Sequence, residues 1–301
     1  MDLRDPAKGV SYTNVLANPT EPLLQQRLAG VIGTMVAVVS ALVFMPVIVF
    51  AANRLVWLVS GAGDEFGAFD TAARMMENPA GMFTRHLGLC SLIGIAFGLI
   101  VVFHRLRPRW LNSVQPGFRW RYALICFGIA LVVMSFVLWA VNDFNFGELN
   151  PQPDWLWFLV VIVVTTPIQA AAEEYFFRGY LLQSLALVVR NRWVAVVFSA
   201  AVFAYFHGSS DLLLIAYRFG FGIIAGAVVV ATGGLEAAIA AHAVNNLCSF
   251  TFAALTSSVG AAITVTTITL PSLLLPLLGF ALCGAAAIWV GRKLQIATVT
   301  P

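Results

Sequence analysis

YALICFGIALVVMSFVLWAV, residues 122–141, contains no charged side chain. As a helix rising 1.5 Å per residue it spans about 30 Å, the thickness of a bilayer's hydrocarbon layer. Working outward from it, apolar runs of the same character cover 28–52, 87–103, 155–172, 193–206, 212–231, 235–252 and 270–290. Over all 301 residues, 60% are hydrophobic and 10% charged, against about 25% charged in soluble domains. So few charges cannot coat a water-facing surface, and the bilayer must act as solvent. Only helices or a closed barrel satisfy the backbone there. Long unbroken runs, not alternating ten-residue segments, select helices. The expected fold is all-α: a polytopic transmembrane bundle of about eight helices enclosing an intramembrane polar cavity.

Charge placement orders the threading. Arg105, Arg107, Arg109, Arg119 and Arg121 follow the second run, Arg190 and Arg192 the fourth, and Arg292 with Lys293 the last. The loop after the third run holds Asp143, Glu148 and Asp154 instead. Eight crossings with both termini in the cytosol put every basic cluster inside, as in a prokaryotic plasma membrane. The loop 53–86 mixes both signs and is the weakest part of this assignment. Residues 1–27, with Pro6, Pro19 and Pro22, read as a flexible cytosolic leader with no signal-peptide pattern. The remainder divides into N-terminal transmembrane helices (28–150), a catalytic core (151–255) and a final helix with a short cytosolic tail (256–301). Cys90, Cys126, Cys248 and Cys283 lie in or at the edges of apolar runs without motif spacing and read as packing residues. Gly94/Gly98 and Gly222/Gly226 suit close helix approach. A net charge of +3 with no basic patch excludes a nucleic-acid partner.

Polar residues inside the apolar second half are the informative ones. Glu173, Glu174 and Arg178 occupy six positions, although an acid at mid-membrane costs about 2.5–3.5 kcal/mol. A cytosolic helix end would explain them, but hairpin geometry points elsewhere. With a corner at Arg190–Arg192, Glu173 lies 17 residues before it and His207 15 residues after it. Antiparallel helices bring both to roughly 22–25 Å from the corner. Pro167 is expected to kink the helix just before the acids. In the seventh run His242 and Asn246 are four apart, on one face, among alanines. His86 and His104 sit in or beside loops and carry no expected role. Arg218 is read as reaching towards an interface or Asp211.

A carboxylate, two imidazoles and a carboxamide suffice to direct water at a peptide carbonyl. Glu173 can take the proton of the water and return it to the leaving amine. Arg178, four residues after Glu174, would neutralise the second acid and leave the first free to titrate. Imidazole and amide donors would stabilise the oxyanion, or Glu173, His207 and His242 could hold a divalent metal such as Zn²⁺. The residues leave both mechanisms open. There is no His-Glu-x-x-His pair and no Gly-x-Ser-x-Gly elbow. Gly61–Ala62–Gly63–Asp64 imitates an aspartyl-protease signature but falls in a polar loop, and Asn78–Pro79–Ala80 is an isolated echo of a water-channel motif.

The ordered trio Glu173–Glu174–x–x–x–Arg178, Phe203–x–x–x–His207 and His242–x–x–x–Asn246 resembles the CPBP family. These are the type 2 CAAX prenyl endopeptidases and their bacterial relatives, also called ABI or lysostaphin-resistance proteins. The resemblance runs from about Trp155 to Phe252. It implies an intramembrane endopeptidase, a hydrolase of membrane-associated peptides, with a catalytic cavity open to the cytosol. Glu173 would be the water-activating acid, His207, His242 and Asn246 would complete the site, and Glu174 and Arg178 would support it. Members have been described both as metalloproteases and as metal-independent glutamate proteases, so Zn²⁺ is a conditional cofactor. The implied partners are the bilayer and a peptide or protein substrate arriving from the membrane or the cytosol, prenylated or not. A non-catalytic immunity or scaffold protein and a proton-coupled transporter are the competing readings. Against the transporter, the two halves show no paired broken helices.

Overall fold

The computed structural model describes residues 2–61, 63, 65–143, 145 and 147–301. Ala62 and Asp64, half of the glycine–aspartate stretch, lie outside them. Among the described residues there is no strand, and helix follows helix: α1 (Leu23–Ser60), α2 (Phe66–Arg74), α3 (Pro79–His104), α4 (Trp120–Val141), α5 (Trp155–Glu174), a π-helical stretch Tyr175–Leu181, α6 (Leu182–Val189), α7 (Arg192–Phe206), α8 (Leu212–Thr232), α9 (Glu236–Thr256), α10 (Val259–Ile263) and α11 (Leu270–Lys293). Seven helical stretches among the described residues are long and apolar enough to cross a bilayer, with Trp155–Val189 counting as one, and α7 is a shorter apolar eighth. The chain is an integral, multi-pass membrane protein. Its apolar surface faces outward: Val39, Leu42 and Val43 on α1, Val163 and Val164 on α5, and Leu278 and Leu282 on α11 are all exposed.

Small residues make the helix contacts. The buried positions of α1 are Gly30, Gly33, Ala37, Ala41 and Asn53, spaced mostly by three or four so that one narrow stripe faces inward. A Cβ at Gly33 would collide with the Tyr180 hydroxyl, and one at Gly30 would stand 2.8 Å from the Ser184 carbonyl oxygen. Lipid tails are as apolar as side chains, so close packing of this kind drives association in a membrane. The α7–α8 contact is built alike: Gly222 lies against Ala200 and Gly226 against Val196. A Cβ added at Gly94 or Gly98 would meet nothing within 4 Å among the described residues, so of the two glycine pairs only Gly222/Gly226 makes a helix contact there.

The corner between α6 and α7 follows from its residues. Arg190 takes a left-handed conformation (φ 55°) that ends α6, and the Asn191 side chain accepts from the amides of Trp193 and Val194 to start α7. At the same end of the bundle, Arg119 forms an ion pair with buried Glu236 (2.6 Å) and donates to the carbonyls of Thr232 and Ala297. Leu235 N–H donates to Asn112 O, and Thr300 N–H to Val10 O. Both termini, the α3–α4 connection and the α8–α9 turn therefore meet at one end, together with most of the basic residues.

The N-terminal segment differs from the loose leader expected of it. Tyr12, Val15 and Leu16 are buried, and the Arg4 guanidinium donates to the carbonyls of His104, Leu16 and Ala17. Hydrogen bonds from Arg107, Trp110 and Arg109 hold the Asp5 carboxyl down at about 2. Its polar, proline-rich composition concealed this: Tyr12, Val15 and Leu16 join the apolar core while Arg4 is tied to backbone carbonyls. At the far end, residues 150–152 bond to the end of α9, and Gly260 of α10 abuts the Met75 carbonyl.

Gly222→Leu should overpack α7 against α8 and lower stability by about 1–3 kcal/mol, whereas Gly94→Leu should leave it unchanged. Denaturant titration of both variants in detergent micelles reads the difference.

Candidate active site

The site is assembled at the junction of α5 with the π-helical stretch. Glu173 and Glu174 are the last residues of α5 and both are buried, Glu174 completely. Arg178 follows one wide turn later, where i→i+5 bonding lets it fold back under the acids. Its Nη1 donates to Glu174 Oε1 at 2.8 Å, as the four-residue spacing predicts. The guanidinium also lies over the rings of Phe203 (4.3 Å) and Phe221 (4.9 Å). A fully buried cation thus has one carboxylate and two π-faces in place of water.

His242 reaches the same carboxylate from α9, with Nδ1 2.8 Å from Glu174 Oε1. A carboxylate oxygen can only accept, so Nδ1 carries a proton and a neutral ring presents its lone pair at Nε2. That Nε2 stands 3.7 Å from Glu173 Oε2, too far for a direct hydrogen bond and close enough for both atoms to contact one water. Glu173 Oε2 is buried and has no hydrogen-bond partner among the described residues. The other oxygen is held: Gln169 Nε2 donates to Glu173 Oε1 (2.5 Å), and Asn246 Nδ2 donates to Gln169 Oε1 (3.1 Å). The chain Asn246–Gln169–Glu173 aims one carboxylate oxygen at His242, at the edge of an open space.

That space is a cavity of about 960 Å³, lined by Gln169, Glu173, His207, His242, Asn245 and Asn246 among others. His207 follows α7, its Nδ1–H donating to the Phe203 carbonyl (2.8 Å) and its ring 4.5 Å from that of Phe203. This leaves His207 Nε2 to face the cavity. The four residues proposed from sequence as catalytic, Glu173, His207, His242 and Asn246, line one cavity. The two supporting residues lie beneath it.

Four residues around the site differ from their sequence reading. Gln169 has no role in that reading, although its position four before Glu173 on one face is a signal. His86 is not in a loop; it is buried in α3, with Nδ1 2.6 Å from Thr165 Oγ1, and lines the cavity. His104 is also buried, at the end of α3, against the Tyr180 hydroxyl (3.3 Å). Arg218 turns to the His207 carbonyl (3.3 Å) and the cavity, not to Asp211, whose carboxylate caps α8. For His86 and for the Gln169–Asn246 bond the deciding contact joins helices far apart in sequence, whereas Arg218 answers to His207, eleven residues before it.

Glu173, His207 and His242 are the donors a metal ion would use. Among the described residues, no three His, Cys, Asp or Glu side chains are gathered closely enough to hold one. One Glu173 oxygen is engaged by Gln169, and both Nδ1 atoms are committed to oxygens of the protein. Glu173 Oε2 and the two Nε2 atoms are left without protein hydrogen-bond partners among the described residues, so these are the atoms an ion would use.

Residues 152–248 match the family described as Type II CAAX prenyl endopeptidase Rce1-like, in agreement with the resemblance of the three motifs. The uncharacterized protein YyaK of Bacillus subtilis (strain 168) is 28% identical over 169 residues, half of this chain and 55% of that protein. The chain therefore matches little more than half the length of this curated relative. The family description names an endopeptidase.

Arg178→Met should leave the Glu174 carboxylate buried without its cation, at a cost of about 3–5 kcal/mol. Adding Glu174→Gln should recover part of that loss. A double-mutant cycle in detergent reports the coupling.

Proposed function

We propose, from the premise that the chain carries an Rce1-like type II CAAX prenyl endopeptidase domain over residues 152–248, that it hydrolyses peptide bonds of membrane-associated polypeptides with water activated by Glu173. The observation that carries this reading is the unpartnered, buried Glu173 Oε2 facing His242 Nε2 across 3.7 Å at the edge of a large cavity. A water between them has an acid to receive its proton and an imidazole to orient it. The Glu174–Arg178 ion pair fixes the His242 tautomer, and Gln169 fixes the Glu173 rotamer.

In the proposed sequence, Glu173 removes a proton as the water oxygen attacks the scissile carbonyl carbon. The developing oxyanion is met by donors that line the cavity, with the Asn245–Asn246 carboxamides as candidates; His207, whose Nδ1–H is given to the Phe203 carbonyl, offers a lone pair at Nε2 and serves to orient the water. Glu173 then returns the proton to the departing amine, the C–N bond breaks, and the carboxyl product forms. A bound divalent metal would lower the pKa of the attacking water; no step here is assigned to one. Both termini and the basic end of the bundle are proposed to face the cytosol of a prokaryotic cell, following the charge rule.

Glu173→Gln keeps the hydrogen bond from Gln169 but cannot shuttle a proton. It should lower cleavage by about 10²–10⁴-fold with normal membrane expression, while Gly94→Ala should be silent. Comparing the membrane peptidomes of wild-type and Glu173→Gln cells should reveal uncut precursors that accumulate in the variant. Unchanged peptidomes would end the enzymatic reading, and an immunity or scaffold role would then be tested by partner capture.

Elemental analysis of the purified protein bears on the metal separately. Sub-stoichiometric zinc in active protein, unaltered by His242→Ala, is the expected result. Stoichiometric zinc that disappears in His242→Ala would show that the site closes around an ion.

A further inference from the structure

Among the described residues, Arg119 and Arg178 pair with buried glutamates, Arg107 and Arg109 with Asp5, and Arg74 with Asp70. Two arginines that line the cavity around Glu173 find no such partner. Arg85, on α3, and Arg218, on α8, both contribute to its wall, and neither forms an ion pair among the described residues. Each is held by one bond to a backbone carbonyl at 3.3 Å, Arg85 to that of Arg74 and Arg218 to that of His207. A guanidinium has five N–H donors, so most of each fork is left for a ligand.

The charge on the cavity wall is correspondingly unbalanced. Its cations are Arg74, Arg85 and Arg218, and among the described residues its carboxylate is Glu173. Asp70 neutralises Arg74 at 2.7 Å, so two cations face one anion. Asp211, seven residues before Arg218, spends its side chain on capping α8. Unmatched charge is costly inside a membrane protein and marks a place where a ligand completes the balance. Both cations are within reach of the reacting centre. Arg218 is bonded to the backbone of His207 itself, and the Glu173 charge is felt at Arg85. His86, next to Arg85, bonds Thr165, eight residues before Glu173 on α5, which is about 12 Å. An extended chain covers that distance in a few residues.

We infer that Arg85 and Arg218 form a carboxylate-binding subsite, so that the peptides cut here carry a carboxylate within a few residues of the scissile bond. The carboxylate belongs to an acidic side chain or to a chain end, and the chemistry of recognition is the same. A guanidinium fork fits a carboxylate with two parallel hydrogen bonds, which a lysine cannot reproduce. This names the substrate chemistry of the proposed proteolytic site and rests on that reading for the cleavage, though not for the binding. Arg85 lies outside residues 152–248, the part that matches the family, and so gives the N-terminal helices a share in choosing the substrate.

Binding of one short, apolar, acetylated peptide in four forms tests the subsite on the full chain in neutral detergent. The forms are a free C-terminal carboxylate, a C-terminal amide, the amide with a central aspartate, and the amide with a central asparagine. Affinities are measured on Glu173→Gln protein, so that binding is read apart from cleavage. Expected is a preference of roughly 10–100-fold for a carboxylate form over its neutral counterpart, the worth of a hydrogen bond to a charged group. A free-end preference assigns a chain terminus, and an aspartate preference a side chain. Adding Arg85→Gln with Arg218→Gln should abolish the preference, and the paired lysine substitutions should restore part of it. Because the readout is a ratio within one protein, partial misfolding does not imitate it. Equal binding of all four forms, no binding of any, or a preference that survives both glutamines overturns the inference. So does a preference erased by phosphatidylglycerol in the micelle but not by phosphatidylcholine, which would assign the arginines to a lipid headgroup. Wild-type protein is then given the same peptides. Cleavage without carboxylate preference sinks the subsite alone, and preference without cleavage sinks the proteolytic reading alone.

Discussion

One buried cation organises the centre of this molecule. The Arg178 guanidinium is 1% exposed and is paired with the Glu174 carboxylate. The rings of Phe203 from α7 and Phe221 from α8 cover it further. Through Glu174 it also fixes His242 on α9. Four elements of the catalytic half are thus tied to one charge, in a medium where an unpaired ion is severely penalised. The register of α7, α8 and α9 relative to α5 follows from meeting that requirement. The proposed water site is a by-product: once Glu174 is consumed by Arg178 and His242, Glu173 is the acid left to face the cavity.

Much of this could be read in the sequence, for identifiable reasons. Apolar runs gave the helices because bilayer thickness sets a length scale that composition reports directly. The α6–α7 corner was visible in Arg190–Asn191–Arg192, and counting residues from it placed Glu173 and His207 at one depth. Arg178 was assigned to Glu174 by a four-residue spacing that survives within a continuous helix. What escaped was contact between distant segments. His86 looks like a loop residue because α3 begins at Pro79, eight residues before its apolar run, and only Thr165 across the bundle reveals its burial. The packing of residues 2–17 was hidden because Arg4 and Asp5 bind carbonyls and side chains of the α3–α4 connection, and no periodic pattern announces such bonds.

The two ends of the bundle are built by different chemistry. The basic end is held by arginine bonds: Arg119 to Glu236 and two carbonyls, Arg4 to three carbonyls, and Arg107 and Arg109 to Asp5. These join the termini to the connections and close that face. The opposite end relies on a few amide contacts and short helices, among them the Val259 N–H on the Gln152 carboxamide.

The aromatic floor carries an electrical consequence. Phe177, Phe203, Phe221 and Phe280 line the polar cavity, and the Arg178–Glu174 pair lies behind Phe203 and Phe221. The transmembrane voltage, worth about 2.3 kcal/mol per elementary charge per 100 mV, then falls mainly across Phe177, Phe203, Phe221, Phe280 and the ion pair behind them. Glu173 lies on the cavity side of that barrier. The rings that shape the site double as the insulation that keeps the membrane from leaking through it.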